Sequence, residues 1–282
     1  MTILVDRLRA RPPNKPAGTS PGWPADQQPG LGTAVGHALG EAARAATTQS
    51  RPPTPVAAVV VPPRTALVRS RVPTLIGLAG LAGFGALYAL VRVGRTAAFD
   101  AALTIRIQAS RNPALNALMR AASWPGFPPQ SRIIQPLIIG SFVAARLRVE
   151  AVGQTLAWGT ALLSTVVKQF MGRPRPVAGK DLRVVAAPLG GSSFPSGHVL
   201  TFVGVYGFLA FLAATLVRPL GLRRLLVGFF VGLVALVGPS RIQQGHHWPT
   251  DVTASYLLGT SYLLGVIAIY RRLKGRHVAP RA

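Results

Sequence analysis

VPTLIGLAGLAGFGALYALV, Val72 to Val91, runs for 20 residues without a charge and is closed at each end by an arginine, Arg71 and Arg92. A helix rising about 1.5 Å per residue covers the roughly 30 Å of a bilayer's hydrocarbon in that length. Four later stretches read the same way: Ala151 to Val167, Val199 to Val217, Leu225 to Ser240 and Val252 to Tyr270. A further run, Ile133 to Ala145, is shorter and contains Pro136. Its length alone favours an interfacial or core helix.

The flanking charges argue for counting that run as a sixth span. Arg64, Arg69 and Arg71 precede the first span, Arg146 and Arg148 follow the second, and Arg218, Arg223 and Arg224 separate the fourth from the fifth. Arg271, Arg272, Lys274 and Arg276 follow the sixth. Positive charge collects on the cytosolic side, and these four groups all fall there only with six crossings and both termini inside. The loop from Arg92 to Arg132 carries six arginines and opposes this orientation, because it then lies outside.

Composition agrees with a membrane protein. The 282 residues are 49% hydrophobic and only 13% charged, with 31 Lys+Arg against 7 Asp+Glu, whereas soluble domains carry about 25% charged residues. The net charge of +24 also suits a nucleic-acid binder, but no basic block interleaved with aromatics occurs. The chain has no cysteine, which excludes disulfides, zinc–thiolate sites and cysteine nucleophiles. Residues 1–71, rich in Pro, Ala, Gly, Thr and Arg, read as a disordered cytosolic tail without an apolar leader. Residues 72–270 form the membrane domain, and 271–282 a basic cytosolic tail. Between the first two spans, Phe99, Leu103 and Ile107 recur every four residues, and Asn112-Pro113 supplies an N-cap followed by proline. Two short amphipathic helices in the interface are expected there.

This topology leaves two chemically rich segments on the outer face. Lys168 to His198 contains Lys168, Arg175-Pro176 and Pro195-Ser196-Gly197-His198, the last where the fourth span begins. Ser240 to Asp251 contains Arg241, His246, His247 and Asp251. The composition of these segments suits phosphoryl transfer, which requires charge stabilisation of equatorial oxygens, an in-line nucleophile and a proton for the leaving group. Lys168, Arg175 and Arg241 supply fixed positive charge, the arginines with paired N–H donors. Ser196 and Gly197 at a helix start offer a hydroxyl and free backbone N–H groups. Two histidines divide nucleophilic and acid roles, with a carboxylate supporting the nucleophilic ring. His247 stands four residues before Asp251, while His246 is expected as a neighbour at the rim.

In this order K-x6-R-P, P-S-G-H and S-R-x5-H-x3-D resemble the three signature motifs of the type 2 phosphatidic acid phosphatase (PAP2) superfamily, shared with vanadium haloperoxidases. The resemblance covers roughly residues 72–270. It implies an all-α, six-transmembrane-helix bundle and a lipid phosphatase that needs neither metal nor cofactor. It also assigns roles by position. Lys168, Arg175 and Arg241 bind phosphate, and Ser196 and Gly197 hydrogen-bond it. His198 is the general acid, His247 the nucleophile forming a phosphohistidine, and Asp251 its orienting partner. Arg173 has the wrong spacing from Lys168 for the motif. Taken singly, each residue has a blander role: Lys168 and Arg241 as snorkelling side chains, His198 or Asp251 as helix caps. Gln154, Trp158, Ser164 and Thr165 read as packing groups. The rival functions are a phosphotransferase of the same architecture and an anionic-lipid transporter, the latter having no need of the His247 and Asp251 pair. The implied partners are a lipid phosphate substrate and the bilayer, not nucleic acid.

Overall fold

The computed structural model describes residues 71–110, 112–180, 182–185 and 190–278. The expectation of a disordered tail therefore falls, apart from Arg71, outside the described residues. These are helical and contain no strand. In chain order the helices are α1 (Arg71–Arg92), α2 (Ala97–Gln108), α3 (Pro113–Ser123) and a 3-10 turn (Trp124–Gly126). α4 (Gln130–Ala144), α5 (Arg148–Trp158), α6 (Thr160–Met171), α7 (Gly197–Leu216), α8 (Leu220–Gln243) and α9 (Pro249–Val278) follow. Four are long and apolar enough to cross a membrane: α1, α7, α8 and α9, the last over Pro249–Arg276.

The expected second and third spans differ from this pattern. α4 has 15 residues, with Pro136 inside it. The third is broken between α5 and α6 at Gly159. There the Leu156 carbonyl accepts from the Gly159 N–H at 3.0 Å and from the Tyr262 hydroxyl at 2.8 Å. The ordinary i to i−4 ladder is thus rewired at Gly159, where a side chain would collide with the Tyr262 hydroxyl. The C-terminal boundary also moves: α9 runs about two turns past the apolar stretch, through Val278, so most of the expected basic tail is helix.

α7 is the central helix. It is apolar on every side, the pattern of a helix surrounded by protein. Phe202, Val203, Val205, Phe208 and Leu209 are buried against α5, α6, α8 and α9. Helices in lipid gain little from the hydrophobic effect on meeting one another, so close packing carries the contact. At Gly204 any Cβ would strike the Ala157 carbonyl and Thr160. α1 lies along α9. α2 and α3 lie across the end of α8, beside the two polar loops.

Two short helices form over the expected segment. Asn112 caps α3, its Oδ1 accepting from the N–H groups of Ala114 and Leu115 at 2.9 and 3.1 Å, with Pro113 at the first helical position. In α2 it is the polar stripe that is buried, namely Thr96, Asp100, Thr104 and Gln108, while Phe99 is exposed. The surface available to α2 consists of carbonyls and charged loops, so its polar face is the complementary one.

At the far end of the bundle from those loops, α5 is pinned to α9. The Glu150 Oε1 accepts from Lys274 Nζ at 2.6 Å and from the Tyr270 hydroxyl at 3.0 Å. Glu150 is 1% exposed and Lys274 9%. A buried carboxylate is tolerable only with such partners.

Candidate active site

Three chain segments meet beside α2. Gly172, in the left-handed region at φ 62°, ends α6 and directs Arg173-Pro174-Arg175 away from the helix axis. The returning strand of loop is fastened to it: Ser193 N–H donates to the Arg173 carbonyl at 2.8 Å, and Arg173 N–H to Ser192 Oγ at 3.1 Å. That fastening delivers Ser196 to the N-cap of α7 and His198 to its first turn. The third segment begins at Arg241 in the last turn of α8, turns at Gly245 (φ 72°) and enters α9 at Pro249. His246 N–H donates back to the Arg241 carbonyl at 3.0 Å.

All eight sequence-predicted residues belong to this region. His247 is 2% exposed. Its Nδ1 lies 2.7 Å from the Ser193 carbonyl, which can only accept, so Nδ1 carries the proton and Nε2 the lone pair. Nε2 faces Arg175 Nη1 at 3.3 Å. Asp251 Oδ2 is 3.7 Å from Nδ1, beyond hydrogen-bond length, so the ring is oriented first by a backbone carbonyl and only electrostatically by Asp251. Oδ2 instead accepts from the Trp248 N–H at 2.9 Å, capping α9. Burial lowers the His247 pKa to about 4 against the raising influence of Asp251. The ring is therefore neutral, as a nucleophile must be.

The positive groups are aimed inward and incompletely used. Arg241 is fully buried. Its Nη2 donates to Gln244 Oε1 at 2.6 Å and also meets His246 Nδ1; Nε and Nη1 have no partner. The guanidinium lies 4.7 Å from the Phe127 ring centre. Arg175 donates to the His246 carbonyl at 2.8 Å and to the Ser192 carbonyl at 3.3 Å, leaving its Nε unpartnered; burial lowers its pKa. Lys168 makes no hydrogen bond or ion pair with another described residue. A Cβ on Gly197 would stand 3.9 Å from Lys168 Nζ and 3.1 Å from Ser164 Oγ, so the glycine keeps that approach open. Ser196 Oγ is buried without a partner, and so is His198 Nε2. The His198 ring packs edge-on against Phe127, centroids 4.8 Å apart, and Gly126 leaves no room for a side chain beside it. His198 is within electrostatic reach of Arg241, His247, His246 and Lys168.

Buried donors are almost always satisfied in folded proteins. Here Arg175 Nε, Arg241 Nε and Nη1, Ser196 Oγ, His198 Nε2 and His246 Nε2 are all unsatisfied in one region. Most of these atoms are N–H donors, the complement of a multivalent oxyanion.

Sequence reasoning missed two members. Arg173, set aside on spacing, bridges two carboxylates: it donates to Asp251 Oδ1 through Nη1 and to Asp100 Oδ2 at 2.6 Å through Nη2. Asp100 also accepts from Thr250, at 2.9 Å from its N–H and 2.8 Å from its hydroxyl. The available signal was the spacing of Thr96, Asp100, Thr104 and Gln108, four apart, with a rare acid among them. His246, expected at the rim, is instead 2% exposed and held by Arg241; burial and that guanidinium lower its pKa to about 3.

Comparison with known proteins yields a consistent set. A family model described as the PAP2 superfamily matches residues 151–274. Phosphatidylglycerophosphatase B of Bacillus subtilis (strain 168) is 31% identical over 182 residues, which span 61% of this chain and 84% of that protein. Lipid A 1-phosphatase of Rhizobium johnstonii is 33% identical over 118 residues, 40% of this chain and 44% of that protein. The crystal structure of a transmembrane PAP2-type phosphatidylglycerolphosphate phosphatase from Bacillus subtilis superposes with a TM-score of 0.59 at 24% identity. The match covers 73% of this chain and 98% of that one.

Proposed function

The chain belongs to the PAP2 superfamily, and from that premise we propose that it is an integral-membrane lipid phosphatase acting through a phosphohistidine. The observation that carries this reading is the set of unpartnered buried donors beside a neutral His247 whose unprotonated Nε2 points at Arg175, among those donors. A phosphate monoester or diphosphate of a membrane lipid places its terminal phosphoryl group among Lys168, Arg175, Arg241, Ser196 and the N–H groups at Gly197. These stabilise charge on the equatorial oxygens. His247 Nε2 attacks phosphorus, a P–N bond forms, and the P–O bond to the lipid breaks. His198, as the imidazolium beside the bound phosphate, gives its Nε2 proton to the departing oxygen and becomes neutral. In the second step His198 takes a proton from water as the water oxygen attacks phosphorus. The P–N bond then breaks and inorganic phosphate leaves.

Arg173 and Asp100 act at one remove. Arg173 holds the Asp251 carboxylate, which sits 3.7 Å from His247 Nδ1, and Asp100 holds Arg173 and Thr250, tying α2 to the same point. The fixed cations supply the charge that a metal would otherwise provide, so activity is expected without one.

The proposed topology has six crossings. α4 and the α5–α6 pair join the four long helices, since Arg148–Met171 together rise about 35 Å. Both termini face the cytosol and the phosphate site faces outward.

Phosphate release from phosphatidate, phosphatidylglycerophosphate and polyprenyl diphosphate in excess chelator tests the chemistry. Release that persists in chelator and disappears in His247→Ala, with acid-labile phosphate trapped on the wild-type protein after rapid quench, is expected. Equal rates for His247→Ala and wild type would defeat the mechanism. Transfer of the label to an added alcohol in preference to water would instead make the protein a phosphotransferase. The cysteine-free chain accepts single reporter cysteines, so labelling at positions 180 and 221 from either side reads the orientation directly.

A further inference from the structure

A groove of about 440 Å³ lies between α1 and α9, away from the phosphate site. Leu78 and Leu81 from α1, and Leu264 and Ile267 from α9, line its apolar part; Arg271 and Arg272 line it as well. Gly77 keeps it open, since its nearest neighbours stand 3.9 and 4.0 Å from where a Cβ would be.

Its position along α9 separates it from the catalytic end. Arg271 lies 20 residues, about 30 Å along a helix, from Asp251. That is one hydrocarbon thickness, so the basic end of the groove reaches the opposite leaflet from the phosphate site. The apolar part is at hydrocarbon depth and the arginines are at headgroup level.

Among the described residues nothing compensates the charge at the basic end. Arg271 stacks 5.5 Å from the Phe211 ring centre, and its Nε is buried without a partner. The three acids among the described residues are each committed elsewhere. Asp100 and Asp251 hold Arg173, and Glu150 holds Lys274. A counter-anion for Arg271 and Arg272 must come from outside these residues. An occupant with an apolar chain, an anionic head and the length to span both levels is a phospholipid.

We propose that the α1–α9 groove, with Arg271 and Arg272, binds one anionic phospholipid of the leaflet opposite to the phosphate site. This lipid is a bound structural or modulatory component, distinct from the substrate. Guanidinium groups suit its phosphodiester through paired donors, and each basic residue near an anionic headgroup adds enough affinity to make the double loss worth about tenfold or more.

The test is native mass spectrometry of full-length protein released from nanodiscs of mixed phosphatidylglycerol and phosphatidylcholine. Wild type is expected to retain phosphatidylglycerol preferentially, and Arg271→Ala/Arg272→Ala to lose that retention by about tenfold. Gly77→Leu, which fills the groove without touching charge, should lose it too. Phosphate release from a short-chain substrate in detergent should persist in all three, so failure here is separable from failure of the catalytic reading. Retention unchanged in these variants, or equal for both lipids, overturns the proposal. So does loss of the retained lipid in His247→Ala, which would mark it as substrate at the phosphate site. A dimer mass that the Gly77→Leu change abolishes would give the groove to a second copy and overturn it as well.

Discussion

Two buried ionic clusters occupy opposite ends of this bundle, and they are built on opposite rules. At the Glu150 end one carboxylate is matched by one ammonium and one hydroxyl. At the His247 end Lys168, Arg175 and Arg241 face a single nearby carboxylate, Asp251, which is already paired with Arg173. The first cluster is charge-matched, with Glu150 Oε2 the one carboxylate oxygen left without a hydrogen-bond partner. The second carries an excess of unpartnered donors, which the proposed phosphate substrate would complete. One end ties helices together; the other gathers the cations to which we assign phosphate binding.

The largest expected effect breaks this contrast at the His247 end. Arg175→Ala should lower phosphate release by about a hundredfold or more, the scale of losing one preorganised donor to transition-state charge. Its thermal unfolding without ligand should stay at or above wild type, because a repelling cation has gone. A clear drop in midpoint would mean that Arg175 is structural. Orthophosphate should raise the wild-type midpoint, and that shift should vanish in the variant.

At the Glu150 end the expectation reverses. Lys274→Ala leaves the Glu150 carboxylate buried without its cation and should cost about 3 kcal/mol of stability, read as a lowered unfolding midpoint in detergent. Turnover per folded molecule should hold. Glu150→Leu/Lys274→Met should recover most of the stability; if the double variant is no better than the single, the cost comes from packing rather than charge.

Arg173 belongs to both categories and sharpens the distinction. Arg173→Ala should reduce kcat about tenfold with KM little changed, since it acts on Asp251 and not on phosphate. Arg173→Lys should restore part of the loss. A rise in KM alone would instead place Arg173 on the substrate.

The smallest effect is a shift in pH dependence. Burial holds the His247 pKa at about 4, below the usual value near 6.5. The neutral, reactive ring therefore persists as pH falls, and kcat/KM for the free protein should decline only as pH approaches 4. Asp251 raises that pKa, so Asp251→Asn should move the acid limb to lower pH while lowering the plateau. A limb moved upward would contradict the electrostatic role.

The local elements were legible because their signals are contiguous. The apolar stretch at Val72–Val91 becomes α1, and Asn112-Pro113 caps α3 as its residue types require. The motif residues were legible too, because each depends on spacing within a short segment beside a helix end. The break at Gly159 was not, since it arises when the hydroxyl of Tyr262, 106 residues away, takes the Leu156 carbonyl. Nor was the burial of α2's polar stripe, which depends on what lies opposite it.

The sequence by itself determined that the chain is helical, apolar and carries basic and histidine side chains at the motif spacings, because hydrophobic runs, caps and motif spacings are local properties. Only the tertiary structure decided which carbonyl orients His247, that Arg173 and Asp100 stand behind Asp251, and which cations remain unpaired. Those outcomes depend on partners 54 to 150 residues apart, and a hydrogen bond or ion pair exists only once folding sets the distance between its two ends.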